Sequence, residues 1–456
     1  MQLATALLEK YSKAGPRYTS YPTAPYFTES FGEAQWLAEL QQTQNLGRDL
    51  SLYVHIPFCD TLCYYCGCNM VATKKYAKAS EYLDALFREI ARVATLTNPD
   101  RAARQFHWGG GTPTYLKPDD IRRLYAYIAG KFRIANDAEI SCEVDPRELS
   151  REHVRALRES GFNRVSLGVQ DLDAAVQKAV NRVQPESLIR EVYGWMREEG
   201  FTGINLDLMV GLPHQTVETF RHTLDKVVAL APDRLAVFNY AHVPWMKKHQ
   251  TLIPEAALPK LAERLALQQL IMEKLNAAGY VYIGMDHYAR ADDELVKARQ
   301  AKTLYRNFQG YTTHKNCDII AFGASSISQT ENVFVQNVKK LPDYYRLVGE
   351  NRLPVERGLR VTQEDKLRRD AITRIMCDLE LDKAAFGAQW GIDFNTHFAD
   401  AQSELKEMEA DGLIALTPEK ITVTDTGRIF LRNIAMPFDA YLKQAADAKP
   451  RFSKTL

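Results

Sequence analysis

The sequence predicts an α/β fold, an incomplete (β/α)6-type parallel barrel with an N-terminal segment and a mostly helical, winged-helix-like C-terminal domain. Three observations carry this expectation. From Ser51 onward short β-rich runs alternate with longer amphipathic segments, and repeated βα units imply a parallel sheet with helices outside. The clear units stop short of a complete eight-fold barrel, with a flat doubly wound sheet as the alternative. Near Val361 the character changes to a helix, helix, hairpin, helix order.

Each element follows in turn. Residues 1–50 are mixed, and Arg17-Tyr18-Thr19-Ser20-Tyr21-Pro22 is polar and aromatic without a regular period. The strand runs are 52–56, 105–108, 139–144, 164–169, 204–210 and 234–238. Helical patterns at 80–94, 118–132, 151–160, 185–199 and 216–229 separate them. Residues 280–285 read as another strand, and 317–327 as a glycine-containing loop or strand. Beyond 361, helices are expected at 362–378 and 396–411, a hairpin at 413–416 and 421–423, and a helix at 426–435. The expected division is 1–50 as an N-terminal segment, 51–330 as the partial barrel and 361–456 as the C-terminal domain.

Composition narrows the class. A chain of 456 residues allows two or three domains. Hydrophobic residues at 46% and charged residues at 25% match a soluble globular protein. The net charge of +1 and the lack of a basic stripe in 361–456 give no footprint for nucleic acid. No apolar run approaches the roughly 20 residues that span a bilayer, so no membrane partner is expected. Met1 to Tyr18 lacks a long apolar stretch with a cleavage site and carries Glu9. A cytoplasmic monomer is the expectation. Of seven cysteines, Cys59, Cys63, Cys66 and Cys68 crowd one segment. An odd count with one dense cluster speaks for metal chemistry in a reducing compartment, not for a disulfide framework.

The first three of those cysteines are spaced C-x3-C-x2-C. Thiolates hold iron–sulfur clusters or zinc. Structural zinc prefers two ligand pairs separated by a longer loop, and an electron-carrying [4Fe–4S] cluster takes four cysteines, one per iron. Three ligands in a compact loop leave one iron open for an exogenous ligand. Cys68, two residues after Cys66, is a candidate for a role beside the cluster; its bland alternative is a small buried hydrophobe.

Other candidates fall at inferred strand ends, the edge that carries barrel active sites. Gly109-Gly110-Gly111-Thr112-Pro113 follows the second strand, where glycines let backbone approach a ligand; a tight βα turn is the plainer reading. Glu143 and Asp145 end the third strand, Gln170 and Arg182 follow the fourth, and Ala241 and His242 follow the sixth. Asp207 sits inside an apolar run, as a functional acid or as half of a structural ion pair. His242 reads equally as a ligand or as a hydrogen-bonded structural residue.

The motif C-x3-C-x-aromatic-C, with Tyr65 as the aromatic, resembles the radical S-adenosylmethionine superfamily. The resemblance narrows with Pro16-Arg17-Tyr18-Thr19-Ser20-Tyr21-Pro22-Thr23, Tyr53-Val54-His55-Ile56-Pro57-Phe58-Cys59, Cys66-Gly67-Cys68-Asn69, His107 to Thr114, and Asn307-Phe308-Gln309-Gly310-Tyr311-Thr312-Thr313. Together these resemble the oxygen-independent coproporphyrinogen III oxidase family over nearly the whole chain. The resemblance implies a [4Fe–4S] cluster on Cys59, Cys63 and Cys66 and two molecules of S-adenosylmethionine. Tyr53, Gly110, Glu143 and Ile327 would meet the cluster-bound molecule. Tyr65, Gly111, Thr112, Gln170, Arg182, Asp207 and Ala241 would meet the second. The family often carries Phe at the position of Tyr65, which puts any role tied to an apolar ring in doubt. The implied reaction decarboxylates two propionates of coproporphyrinogen III to vinyls through a 5′-deoxyadenosyl radical, with an unidentified electron donor and acceptor. A substrate with four carboxylates on an apolar macrocycle calls for arginines beside aromatics, and Arg17 with Tyr18 and Tyr21 is one candidate group. The alternative is a haem-binding chaperone of the same superfamily; Cys68 and the Arg17–Thr23 stretch argue against it.

Overall fold

The computed structural model describes residues 5–44, 47–444, 452, 453 and 455. The outer ends of the expected N-terminal and C-terminal parts, and residues 45–46, lie outside the described residues. One twelve-stranded sheet organises the chain. Its strands are β1 (Leu50–Ile56), β2 (Ala102–Gly110), β3 (Arg133–Val144), β4 (Arg164–Gln170), β5 (Gly203–Val210), β6 (Arg234–Asn239), β7 (Tyr280–Gly284), β8 (His287–Arg290), β9 (Asp318–Phe322), β10 (Ile327–Gln329), β11 (Val333–Asn337) and β12 (Val355–Arg360). The order is β12-β11-β10-β9-β1-β2-β3-β4-β5-β6-β8-β7. β1 to β6 pair in parallel, and β9 adds a seventh parallel strand beside β1. The outer strands pair antiparallel. The two edges do not meet, so the barrel is open.

The period-2 alternation of a strand sorts the side chains between the two faces. Leu52, Val54 and Ile56 of β1 and Phe106 and Trp108 of β2 join the hydrophobic core beneath the helices. Their neighbours His107, Ser141, Glu143, Ser166, Asn205 and Asp207 line the barrel interior instead. A parallel sheet covered outside by helices thus keeps its polar residues for the inner face. Register brings Glu143 opposite Ser166 and Gly168 opposite Asp207. The covering helices are Ala77–Ala94, Pro118–Ala129, Arg151–Glu159, Glu186–Glu198 and Val217–Ala229. Ser150 and Thr216 cap two of them by accepting from His153 N and Thr219 N.

Residues 317–327, readable as loop or strand, supply β9 and the turn into β10. The sheet continues beyond residue 330 through β11 and β12. In the C-terminal part the expected helix at 362–378 is an α-helix, Gln363–Thr373, finished by a π turn at Arg374–Asp378. Leu379 then turns left-handed at φ 59° and starts a strand, Glu380–Asp382, that pairs with Lys420–Val423. The expected helix at 396–411 is broken. Phe394–His397 ends at Phe398, which is wholly buried, and the helix resumes at Gln402–Ala410. Burying Phe398 against Phe386, Phe394 and Phe438 overrides helix continuity. The hairpin Ile414–Leu416 and Lys420–Val423 and the short helix Leu431–Ala435 lie close to their expected places. Leu8, Tyr11, Tyr18 and Tyr21 of the N-terminal segment pack into this second core. Among the described residues no helix is long and apolar enough to cross a membrane.

Candidate active site

The cysteine loop leaves β1 at the C-terminal edge of the barrel. It is held from below by Val71 N to Pro57 O at 2.6 Å and Thr73 N to Cys59 O at 2.9 Å. Tyr64 N donates to Val180 O at 2.9 Å, and Asn181 Nδ2 donates to Leu62 O at 2.9 Å. From above, Gln250 Nε2 donates to Tyr65 O (3.0 Å) and Lys247 Nζ to Cys68 O (2.8 Å), while His249 Nε2 lies 2.7 Å from Cys66 O. Nothing in the sequence pointed to this clasp of Lys247, His249 and Gln250, because its partners are backbone oxygens brought in by folding.

Cys59, Cys63, Cys66 and Cys68 all line one cleft of about 940 Å³. Cys59 and Cys63 are buried, Cys66 is half-buried and Cys68 is exposed. Burial pushes the Cys59 thiol up to about 12, against a hydrogen-bonding contact with Thr112 Oγ1 at 3.3 Å. Interaction with the Cys68 side chain draws Cys66 down to about 6, against its own burial. Arg147 Nη2 and Arg182 Nη1 lie 3.3 and 3.6 Å from the Cys63 sulfur. Among the described residues no three metal-binding side chains converge as ligands of a single ion. A [4Fe–4S] cluster asks for one thiolate per iron instead. The donor set fits that group: three sulfurs on one wall, cations beside one of them, and a buried thiol that metal binding would deprotonate.

The glycines let the turn after β2 pack closely against the cysteine loop's strand. Gly110 has φ 120°, and a Cβ there would stand 2.7 Å from His55 Cε1. At Gly111 a Cβ would meet Phe58 O at 2.8 Å. Gly110 N donates to Glu143 Oε2 at 3.1 Å, and His107 Nε2 lies 3.6 Å from Glu143 Oε1. Burial opposes ionisation of Glu143, yet His107 and the Gly110 amide hold it below the usual carboxylate range. Deeper, Arg182 Nη1 donates to Asp145 Oδ2 at 2.8 Å and Nη2 to Gly168 O at 2.6 Å, while its buried Nε has no partner. Gly168 leaves room for that head: a Cβ would lie 2.7 Å from Arg182 Nη2. Arg147 Nη2 reaches the same Asp145 Oδ2 at 2.7 Å. Burial works against Asp145, but the two guanidiniums keep its carboxyl low. Asp207 goes the other way. Burial raises it to about 7, although Ser166 Oγ (2.8 Å) and Asn205 Nδ2 (2.7 Å) donate to it. Among the described residues it has no ion-pair partner, so the structural-pair alternative is set aside.

Tyr65, Gly110, Gly111, Thr112, Glu143, Gln170, Arg182 and Asp207 share the cleft with the cysteines. Gln170 takes a left-handed φ of 64° at the bulge between β4 and β5. Tyr53 and Ile327 lie elsewhere, lining a second cavity of about 860 Å³ with His55, Asn69, Phe308 and Gln309. Cys68, Gly110 and Glu143 line both cavities. Ala241 lines neither, but Gln250 Nε2 bridges its carbonyl to that of Tyr65. His242 is held by Tyr240 OH at 2.8 Å and lies 3.4 Å from Glu255, the structural alternative. Of the aromatic group suggested for carboxylates, Tyr18 and Tyr21 turn away: Tyr18 OH donates to Asp439 and Tyr21 OH accepts from Ala440 N. Their rings serve the C-terminal core.

Residues 53–227 match the family model of the radical SAM superfamily, and 361–430 that of the HemN C-terminal domain. The chain is 47% identical over 451 residues to the oxygen-independent coproporphyrinogen III oxidase of Salmonella typhimurium, covering 99% of this chain and 98% of that protein. Identity to the Escherichia coli protein of the same name is 46% over 451 residues, with the same coverage. The solved structure of coproporphyrinogen III oxidase (HemN) from Escherichia coli, described as a radical SAM enzyme, superposes with a TM-score of 0.91 at 44% identity. It covers 97% of this chain and 99% of that one.

Proposed function

The chain belongs to the oxygen-independent coproporphyrinogen III oxidases of the radical SAM superfamily, and on that premise we propose how its residues divide the work. The enzyme oxidises coproporphyrinogen III to protoporphyrinogen IX without oxygen, converting two propionates to vinyls. Superfamily membership implies a [4Fe–4S] cluster and S-adenosylmethionine. When bound, they supply hydrogen-atom abstraction from an unactivated carbon, which acid–base side chains cannot achieve at a propionate β-carbon. The protein supplies positioning and exclusion of water.

In this reading Cys59, Cys63 and Cys66 hold the cluster. Two S-adenosylmethionine molecules share the joined space of the two cavities, which meet at Cys68, Gly110 and Glu143. Tyr53, Gly110, Glu143 and Ile327 hold the cluster-bound molecule. Glu143, kept ionised, accepts from its amine. Tyr65, Gly111, Thr112, Gln170, Arg182, Asp207 and Ala241 hold the second. What supports two molecules is that the cavities adjoin and divide the residues, one lined by Tyr53 and Ile327 and the other by Tyr65, Gly111, Thr112, Gln170, Arg182 and Asp207. Cys68 acts at their shared wall. An external electron donor and acceptor complete the oxidation. The division into 1–50, 51–330 and 361–456 is retained as our proposal, with residues 333–360 adding β11 and β12 to the barrel's sheet. A cytoplasmic monomer remains our proposal.

The observation that carries the reading is the single cleft that joins the cysteines to Gly110, Glu143 and Arg182. The test is anaerobic reconstitution with iron and sulfide, then incubation with S-adenosylmethionine, a reductant and coproporphyrinogen III. Protoporphyrinogen IX is expected; an intact cluster without vinyl product would overturn the reading.

A further inference from the structure

The roles assigned above leave the four carboxylates of the substrate without partners. A further cavity, small at about 40 Å³, has the opposite imbalance. Arg17, Arg428 and Arg432 line it, with Tyr282 and Tyr288 as apolar walls. Asp286 is the sole carboxylate in that lining among the described residues, and Arg17 already pairs with it. Among the described residues Arg428 Nη2 pairs with the exposed Asp425, at 3.3 Å, and its buried Nε has no partner. Arg432 is a brace, donating to the backbone oxygens of Gly15 and Pro16. Arg306, outside this lining but near enough to repel Arg432, is 7% exposed and lies over the Tyr311 ring at 4.8 Å, with Nε and Nη1 buried and unpartnered among the described residues. Burial, then repulsion from Arg17, draws Arg432 down to about 10, and Arg306 adds to that repulsion. Buried guanidinium nitrogens without partners, as in Arg306 and Arg428, are unfavourable until an anion arrives.

The cavity adjoins the reaction side. Arg17 lies over the Phe238 ring at 5.7 Å, and Phe238 lines both the barrel interior and the cysteine cleft. Guanidiniums beside tyrosine rings suit a carboxylate carried on an apolar ring.

We propose that Arg17 and Arg428, backed by the charge of Arg306, form the seat of propionate carboxylates of the macrocyclic substrate. This rests on the function proposed above and assigns the substrate's anchoring to the meeting of the N-terminal segment with the C-terminal domain. It makes Arg428 and Arg306 specificity residues for a polycarboxylate.

The test uses the reconstituted full-length protein and the oxidised, unreactive coproporphyrin III, whose binding is read by absorbance titration. Its tetra-amide is the uncharged control. Arg428→Gln and Arg306→Gln should each weaken binding of the acid by about tenfold to a hundredfold, the loss of a charge-assisted contact. The tetra-amide should bind equally to all forms, and cluster absorption should be unchanged. Arg428→Lys, which keeps charge without the fork, should recover part of the loss and guards against misfolding of the glutamine variant. Unchanged acid affinity in both glutamine variants, with vinyl product still made by the parent enzyme, overturns the site alone. A parent enzyme that binds no macrocycle and makes no vinyl product overturns the site together with the function it rests on.

Discussion

The Arg182 guanidinium lies 3.6 Å from the Cys63 sulfur while its Nη1 also donates to Asp145 at 2.8 Å. One buried cation therefore serves a cysteine of the loop and an acid at the end of β3. This joins two parts of the site that are about 80 residues apart in the chain.

For the cluster, Cys59→Ala, Cys63→Ala and Cys66→Ala should each abolish visible absorption and cleavage of S-adenosylmethionine. Iron analysis and product chromatography on reconstituted protein check this. A variant that keeps both properties removes its cysteine from the ligand set.

Arg182→Ala should keep its cluster and lose the second cosubstrate, read by equilibrium dialysis. Asp145→Asn tests the other half. It leaves two buried guanidiniums short of charge and should cost on the order of 3–5 kcal/mol of stability. Because the Asp145 carboxyl is depressed in the fold, its contribution is present above the unfolded value and lost as pH falls through the lower folded value. Chemical denaturation from pH 5 downward should show a steeper decline in the parent than in the variant.

Asp207 predicts the reverse slope. Its carboxyl is raised to about 7, so the folded state binds more protons than the unfolded one between about pH 4 and pH 7. Its contribution falls as pH rises through that window. Asp207→Asn should therefore gain stability relative to the parent toward neutral pH, on the order of a few kcal/mol. Denaturation midpoints at pH 5 and pH 8 measure the difference; a gain no larger at pH 8 would refute the shift.

Gly110→Ala places a Cβ in a left-handed residue and 2.7 Å from His55. Strain and overpacking together should cost roughly 1–3 kcal/mol and raise the KM for S-adenosylmethionine. Thermal melts and initial rates read the two effects separately.

Cys68 lines both cavities and is exposed, and its backbone N–H donates to Cys66 Sγ at 3.4 Å. Cys68→Ser should keep iron content and spectrum while turnover falls strongly. Loss of the cluster would make Cys68 a ligand, and undiminished turnover would return it to packing.

By itself the sequence determined what is written in local pattern. The alternation of β1 to β6, the cysteine spacing and the glycine run are all short-range signals, and a strand's period assigns each side chain to a face before any partner is known. Hence Glu143, Gln170, Arg182 and Asp207 could be named from strand ends. Tyr18 and Tyr21 could not be separated from Arg17, since only packing against residues 439–440 turns the rings away and leaves the guanidinium beside Phe238. The same holds for the break at Phe398, the clasp of Lys247, His249 and Gln250, and the cation-lined cavity. Each depends on contacts between segments far apart in the chain, whose burial and electrostatics come into being only when tertiary structure brings them together.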